Sequence, residues 1–181
     1  MCGICGISWN DSCLIRKMGE KIKHRGPEQE GFFIDNDVSL CCERLKILDL
    51  SENAKQPQHN EDFSVWVVLN GEIYNFRELR KNLENNHKFY TNSDTEVIVH
   101  AYEEYGEECV SKLNGMFSFA IWDTKKKKLF LARDRMGVKP LFYCFTNDQL
   151  LFSSEIKSLL QFEDVPRELN YGALSQFTTY A

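Results

Sequence analysis

Phe63 to Leu69, the run Phe-Ser-Val-Trp-Val-Val-Leu, is almost continuously apolar and rich in valine. It has strand length and lacks polar alternation, which marks a strand buried on both faces. A chain holding such a strand has to cover it from two sides, so a layered architecture is required. The run passes directly into Asn70-Gly71-Glu72. Polar residues that close a buried strand are candidates for a functional site. Asn-Gly is also the strongest hairpin dipeptide, so a turn is the competing expectation there.

The remaining elements supply the covering layers. Leu14, Ile15, Met18 and Ile22 recur at helical spacing and predict an amphipathic helix over 12–23. Gly31–Ile34 and Val38–Cys42 read as paired strands around Asp35-Asn36-Asp37. In Glu43–Leu50, alternation sets Leu45 and Ile47 against Arg44 and Lys46, which places Arg44 at a strand end. A surface ion pair is the plainer expectation for that arginine. Asn75 with Glu78, and Ser93 with Glu96, have capping-box spacing and open helices that carry Phe76, Leu79 and Leu83, then Val97 to Tyr105 up to Gly106. Asp94 falls in the first turn of the second, where a carboxylate suits the helix dipole. Strands at 116–123 and 128–133 flank a basic tip, Thr124–Lys127, and strands at 141–145 and 150–152 flank Asn147-Asp148. Helices are expected at 154–162 and 171–177. Strands in hairpin pairs with grouped helices indicate an α+β fold of antiparallel sheets covered by helices.

The first seven residues, Met-Cys-Gly-Ile-Cys-Gly-Ile, are the candidate reactive segment. Cys2 directly follows the initiator Met, and its small side chain permits removal of Met1. A free α-amino group would then stand beside the thiol. An amine with a pKa of roughly 7.7–8.0 is able to take a thiol proton at neutral pH, so nucleophile and base reside in one residue. Gly3 and Gly6 let backbone approach a ligand closely. The plain alternative is a small hydrophobe at a frayed terminus.

The formal net charge of −5 argues against a nucleic-acid or anionic-membrane surface. No apolar run has bilayer-spanning length. The seven cysteines (Cys2, Cys5, Cys13, Cys41, Cys42, Cys109 and Cys144) come without a signal peptide, so a disulfide framework is not expected and a cytoplasmic location is. Cys2 and Cys5 form a C-x-x-C, but a zinc site needs further ligands at matching spacing, and His24, His59, His87 and His100 are scattered.

Taken in order, Cys2-Gly3-Ile4-Cys5-Gly6, His24-Arg25-Gly26-Pro27-Glu28, Glu43-Arg44-Leu45, Asn70-Gly71-Glu72-Ile73-Tyr74-Asn75, Ser93-Asp94-Thr95-Glu96 and Arg133–Leu141 resemble the class II glutamine amidotransferases. The variants are most similar to the glutaminase domain of glutamine-dependent asparagine synthetases. Glu28 departs from the aspartate more usual in the family. The resemblance implies an N-terminal-nucleophile fold of two stacked antiparallel sheets between helical layers. It implies that residues 1–181 form the glutaminase domain, and that an ATP-dependent synthetase domain lies outside this chain, in cis or on another chain. No Ser-Gly-Gly-x-Asp-Ser phosphate loop occurs here. It also implies roles: Cys2 as nucleophile, Asn70 and Gly71 as oxyanion donors, Arg44 on the substrate carboxylate, Glu72 and Asp94 on its ammonium. The substrate would be glutamine and the product ammonia. No metal or cofactor is expected for this domain, ATP and Mg²⁺ belonging to the synthetase domain; a homodimer is an open option. The alternatives are a class II amidotransferase with another acceptor, and a catalytically inactive glutamine-binding module.

Overall fold

The computed structural model describes residues 1–180, with only the backbone of Tyr180. In chain order the elements are β1 (Gly3–Ile7), α1 (Ser12–Ile22), β2 (Gln29–Ile34), β3 (Ser39–Arg44), β4 (Gln58–His59), β5 (Val65–Ile73), α2 (Phe76–Leu83) and α3 (Asp94–Tyr105). They continue with α4 (Cys109–Lys112), β6 (Gly115–Asp123), β7 (Lys128–Arg133), β8 (Phe142–Thr146), β9 (Gln149–Ser153), α5 (Ile156–Leu159) and α6 (Tyr171–Tyr180). One sheet has the order β2-β3-β1-β9-β8 and the other β4-β5-β6-β7. All their strand pairs are antiparallel.

Three apolar layers hold the stack together. Leu14, Ile15, Met18 and Ile22 of α1 pack on Cys5, Ile7, Cys41 and Leu151 of the first sheet. Ile4, Leu40, Cys42 and Phe152 meet Val68, Ala120 and Trp122 between the sheets. Val67, Leu69 and Phe119 of the second sheet pack on Val97, Ile98 and Ala101 of α3 and on Leu79 and Leu83 of α2. The α+β fold of two antiparallel sheets between helical layers is therefore as expected. Of the strand expected over Phe63–Leu69, the part from Val65 on is covered by helices on one face and by the other sheet on the second, while Phe63 lies before the strand and is exposed.

Local signals explain most boundaries. Asp11 caps α1, accepting from the Cys13 and Leu14 amides at 3.0 and 2.8 Å; such a cap is worth about 1 kcal/mol. Gly106 ends α3 at φ +57°, a conformation glycine adopts without strain.

Several expectations are corrected. No hairpin forms at Asn70-Gly71, because β5 runs on to Ile73 and pairs with β6 residue for residue, from Val65↔Asp123 to Ile73↔Gly115. The strand does not continue past Arg44. Residues 45–50 instead curl around its guanidinium, whose Nη2 donates to the Leu48 and Asp49 carbonyls at 2.9 and 2.7 Å. Ile47 and Leu50 are left exposed. Asn75 stands at the start of α2 without capping it, since its amide bonds the Lys112 carbonyl and the Asn114 amide across the fold. Helix α5 starts later than residue 154 because Ser154, just past the end of β9, is held to β1, exchanging hydrogen bonds with Ile4 at 3.0 and 2.8 Å.

Candidate active site

Strand parity gathers the site. Successive side chains of a strand point to opposite faces. On β1, Ile4 faces the space between the sheets, so Cys2, two residues earlier, follows it there. On β3, Cys42 faces the same space and sets the parity of Arg44. On β5, Val68 does so and sets the parity of Asn70 and Glu72. The six predicted site residues, Cys2, Arg44, Asn70, Gly71, Glu72 and Asp94, line one cavity of about 110 Å³. That is room for several waters or one small polar molecule. Cys5 is not among them. It points to the opposite face of β1, into the layer under α1. The C-x-x-C therefore does not form one site.

The start of β1 is pinned. Arg25 Nε donates to the Cys2 carbonyl at 3.1 Å, and Arg25 Nη1 pairs with Glu155 at 3.0 Å. Burial raises the Glu155 pKa, but Arg25, Lys157 and His24 outweigh it and hold the carboxyl down at about 2. Cys2 Sγ lies 3.8 Å from the Leu45 carbonyl oxygen. The Cys42 thiol beside it, the Leu45 backbone, the chain's N-terminal charge and Arg44 lower the Cys2 pKa against the effect of burial, to about 7. The neighbouring Cys42 is pushed up, by burial first and then by Cys2. One thiol of the pair is thus poised to ionise near neutrality and the other is kept protonated.

Asn70 is wholly buried, and neither its side-chain oxygen nor its side-chain nitrogen has a partner among the described residues. Leaving such an amide unsatisfied costs about 1–3 kcal/mol per group, so its donor and acceptor have full capacity for a water or a ligand in the cavity. Gly71 follows on the cavity wall. A Cβ there would lie 2.4 Å from the Met116 carbonyl oxygen of β6, so only bare backbone fits.

Both signs of charge face the cavity. Arg44 is buried and also holds Gln29 through Nη1 at 3.0 Å. With five N–H donors on its fork, these contacts leave capacity for an anion. The Glu72 pKa is raised by burial and by Asp94, with Lys139 opposing. That of Asp94 is raised by burial, which outweighs the Ile73 amide donating to Oδ2 at 2.8 Å and the Arg44 charge. Two desolvated carboxyls side by side are a place for a cation. Asp94 is aimed by the first turn of α3, which Ser93 caps through the Glu96 amide.

Sequence reasoning missed Lys139, which is only 4% exposed and lines the cavity. Its signal was Asp134, in the Arg133–Leu141 segment. That carboxylate collects the amides of Phe117, Met136, Val138 and Lys139 at 2.9–3.2 Å and folds the loop that delivers the lysine. Lys139 Nζ lies 2.9 Å from Met1 Sδ, so Met1 occupies the cavity mouth.

The chain matches the Glutamine amidotransferase domain family over residues 1–181. It belongs to that family. Among relatives of this glutamine amidotransferase domain, asparagine synthetase [glutamine-hydrolyzing] 2 of Bacillus subtilis is 48% identical over 179 residues, covering 94% of the chain and 24% of the relative. A putative asparagine synthetase [glutamine-hydrolyzing] 2 of Methanocaldococcus jannaschii is 41% identical over 194 residues, covering 94% of the chain and 37% of the relative. The domain thus spans well under half of the length of these relatives. Among solved structures, the glutamine phosphoribosylpyrophosphate amidotransferase from B. subtilis superposes with a TM-score of 0.72 at 22% identity, over 87% of this chain and 42% of that one. At that identity the likeness speaks for the fold. Among the described residues, no helix is long and apolar enough to cross a membrane.

Proposed function

We propose that this glutamine amidotransferase domain hydrolyses glutamine to glutamate and ammonia through a γ-glutamyl thioester on Cys2. The observation that carries the reading is the buried, unpartnered Asn70 amide in the same cavity as the low-pKa Cys2 thiol. Removal of Met1 frees the Cys2 α-amine and opens the cavity mouth. The amine takes the thiol proton, and Sγ attacks the side-chain amide carbon of glutamine. The carbonyl oxygen becomes an oxyanion held by the Asn70 side-chain N–H and the Gly71 backbone N–H. The α-ammonium returns the proton to the leaving nitrogen as the C–N bond breaks, and ammonia departs. Water, deprotonated by the same amine, then cleaves the thioester and releases glutamate. Arg44 grips the substrate α-carboxylate. Glu72 and Asp94 receive its α-ammonium. Relatives named as glutamine-hydrolysing asparagine synthetases support an acceptor domain of that type for the ammonia, in cis or on another chain. ATP and Mg²⁺ would act in that acceptor domain. The seven free thiols fit the reducing cytoplasm.

Hydroxylamine tests the intermediate. The Met1-free chain with glutamine and hydroxylamine is expected to yield γ-glutamyl hydroxamate beside glutamate, and the Cys2→Ala variant to yield neither. A correctly processed chain that forms no glutamate overturns the reading.

A further inference from the structure

Away from the cavity, Glu61, His87, His100 and Glu103 bring one ligand atom each to within 4.8 Å of one another. They come from three segments: the loop between β4 and β5, the connection between α2 and α3, and α3 itself. His100 Nδ1 lies 2.9 Å from Glu103 Oε2 and 3.9 Å from Glu61 Oε2. His87 Nδ1 lies 3.4 Å from Glu103 Oε2 and 3.9 Å from Glu61 Oε1. Four donors at about 2.0–2.1 Å around a tetrahedral zinc ion stand about 3.3 Å apart, so these spacings already approximate such a shell.

The far side of each imidazole faces a carboxylate. His87 Nε2 meets Glu104 Oε1 at 2.9 Å, and His100 Nε2 faces the wholly buried Glu96 at 3.6 Å. A metal-bound imidazole is normally oriented by a carboxylate on its other nitrogen, which fixes the tautomer and strengthens the ligand. His87 shows that geometry, while His100 Nε2 is turned toward Glu96 beyond hydrogen-bond distance; each histidine has Nδ1 turned into the cluster. The ligand carboxylates are oriented as well. Asn60 Nδ2 donates to Glu103 Oε1 at 2.6 Å, and the Lys88 amide donates to Glu61 Oε1 at 2.5 Å. The two imidazole rings stack at 4.7 Å. A solvent-open hollow of about 600 Å³, lined by Glu61, His87 and Glu103, gives an ion a way in.

Four carboxylates surround two imidazoles, which leaves the cluster negative when the histidines are neutral. A bound dication balances that charge. Imidazole donors select transition metals over magnesium or calcium. We propose that Glu61, His87, His100 and Glu103 form a four-coordinate site for a divalent transition metal, zinc by ligand class. The site staples the two connecting segments to α3, the helix whose first turn carries Asp94. It is independent of the glutaminase reading.

The test is zinc titration of the whole chain by calorimetry after chelator treatment, with cobalt(II) spectra as a second readout. The expected result is one equivalent bound and a raised Tm. Affinity should fall at least about tenfold in His87→Ala and in Glu61→Gln, each checked for fold by circular dichroism. Glu61 is exposed, so its variant remains folded if His87→Ala does not. Binding should persist in Cys2→Ala, and the cobalt spectrum should be tetrahedral without a thiolate charge-transfer band. No stoichiometric binding, binding unchanged in Glu61→Gln, or binding lost with Cys2 would each overturn the site.

Discussion

The two faces of β1 carry the same chemistry into different surroundings. On one face Cys2 meets Cys42 of β3, and on the other Cys5 meets Cys41. In the first pair Cys2 lines the cavity between the sheets and Cys42 is wholly buried beside it; the Cys42 thiol first, then the Leu45 backbone, the chain's N-terminal charge and Arg44, bring the Cys2 pKa down to about 7. The second pair is sealed under α1. There the contact with Cys5, then burial, push Cys41 well above an ordinary thiol. The two thiol pairs on the same two strands therefore diverge: Cys42 first, then the Leu45 backbone and nearby positive charge, lower Cys2 against burial, whereas Cys5 and burial both raise Cys41. The lowered thiol pKa goes with the face of the strand and not with the C-x-x-C spacing.

The largest effect breaks the comparison at its centre. Cys2→Ala is expected to lower glutamine hydrolysis at least about 10⁴-fold, the scale of losing a catalytic nucleophile. Cys5→Ala removes only a buried sulfur, costing about 1 kcal/mol of stability and leaving kcat within a few-fold. Steady-state kinetics on both variants, with thermal melts, check this; equal losses would return the chemistry to the C-x-x-C. Alkylation sharpens it. The thiolate is the reacting form, so labelling of Cys2 should rise through about pH 7 and level off above, while Cys5, Cys41 and Cys42 stay unlabelled in the folded chain. Peptide mapping separates Cys2 from the exposed Cys13.

Asn70 extends the same contrast across the cavity. Asn70→Ala is expected to lower kcat by roughly 10²–10³-fold, as for one oxyanion donor, with KM little changed. Because its side-chain amide has no partner among the described residues, the substitution should cost little stability. A variant that melts far lower with an unchanged kcat would make Asn70 structural.

Much of this was legible because periodicity is local. The apolar run at Phe63–Leu69 announced a layered fold, and once β1, β3 and β5 are strands, parity alone sends Cys2, Arg44, Asn70 and Glu72 to one space. What escaped depends on contacts distant in sequence. Leu45 and Ile47 alternate as a strand would, yet the Arg44 guanidinium captures the carbonyls of Leu48 and Asp49 and bends the chain away. Asn75 has the spacing of a cap, but Lys112 and Asn114 claim its amide. Lys139 is delivered by the turn that Asp134 organises, and only the folded turn shows that the lysine is buried. His87 and His100 look scattered until the α2–α3 connection folds back along α3.

Arg44 tests whether the open face binds as well as reacts. Arg44→Lys is expected to raise KM for glutamine by about tenfold, since a point charge replaces a bidentate fork. The same change releases the Leu48 and Asp49 carbonyls, so Tm should fall too. Kinetics at saturating glutamine separate the two effects: kcat is retained if the arginine serves binding. An unchanged KM with a lower Tm would leave Arg44 as a clasp for the loop alone.

The smallest effect belongs to the closed face. Glu43 pairs in register with Gly3 and is buried beside Cys41, whose Sγ lies 4.0 Å from Oε1. Burial first, then Glu30, push its pKa up to about 7, with Lys23 opposing. A carboxyl whose folded pKa exceeds its unfolded value binds its proton more tightly in the native state. Its contribution to stability is therefore intact below the unfolded pKa, about 4.5, and is lost as pH rises to about 7. Glu43→Gln keeps the shape and removes the titration. Against the parent it should be near neutral in stability at pH 4 and more stable at pH 8, by on the order of 1 kcal/mol once screening by nearby solvent is allowed for. Glutamine hydrolysis should be unchanged within about twofold, because the carboxyl lies on the face of the strands turned away from the cavity. Denaturant melts at the two pH values decide it. A stability gap independent of pH, or larger at pH 4, would show that the α1 side of β1 and β3 does not shift acids upward, and would remove the physical basis for the contrast between the two thiol pairs.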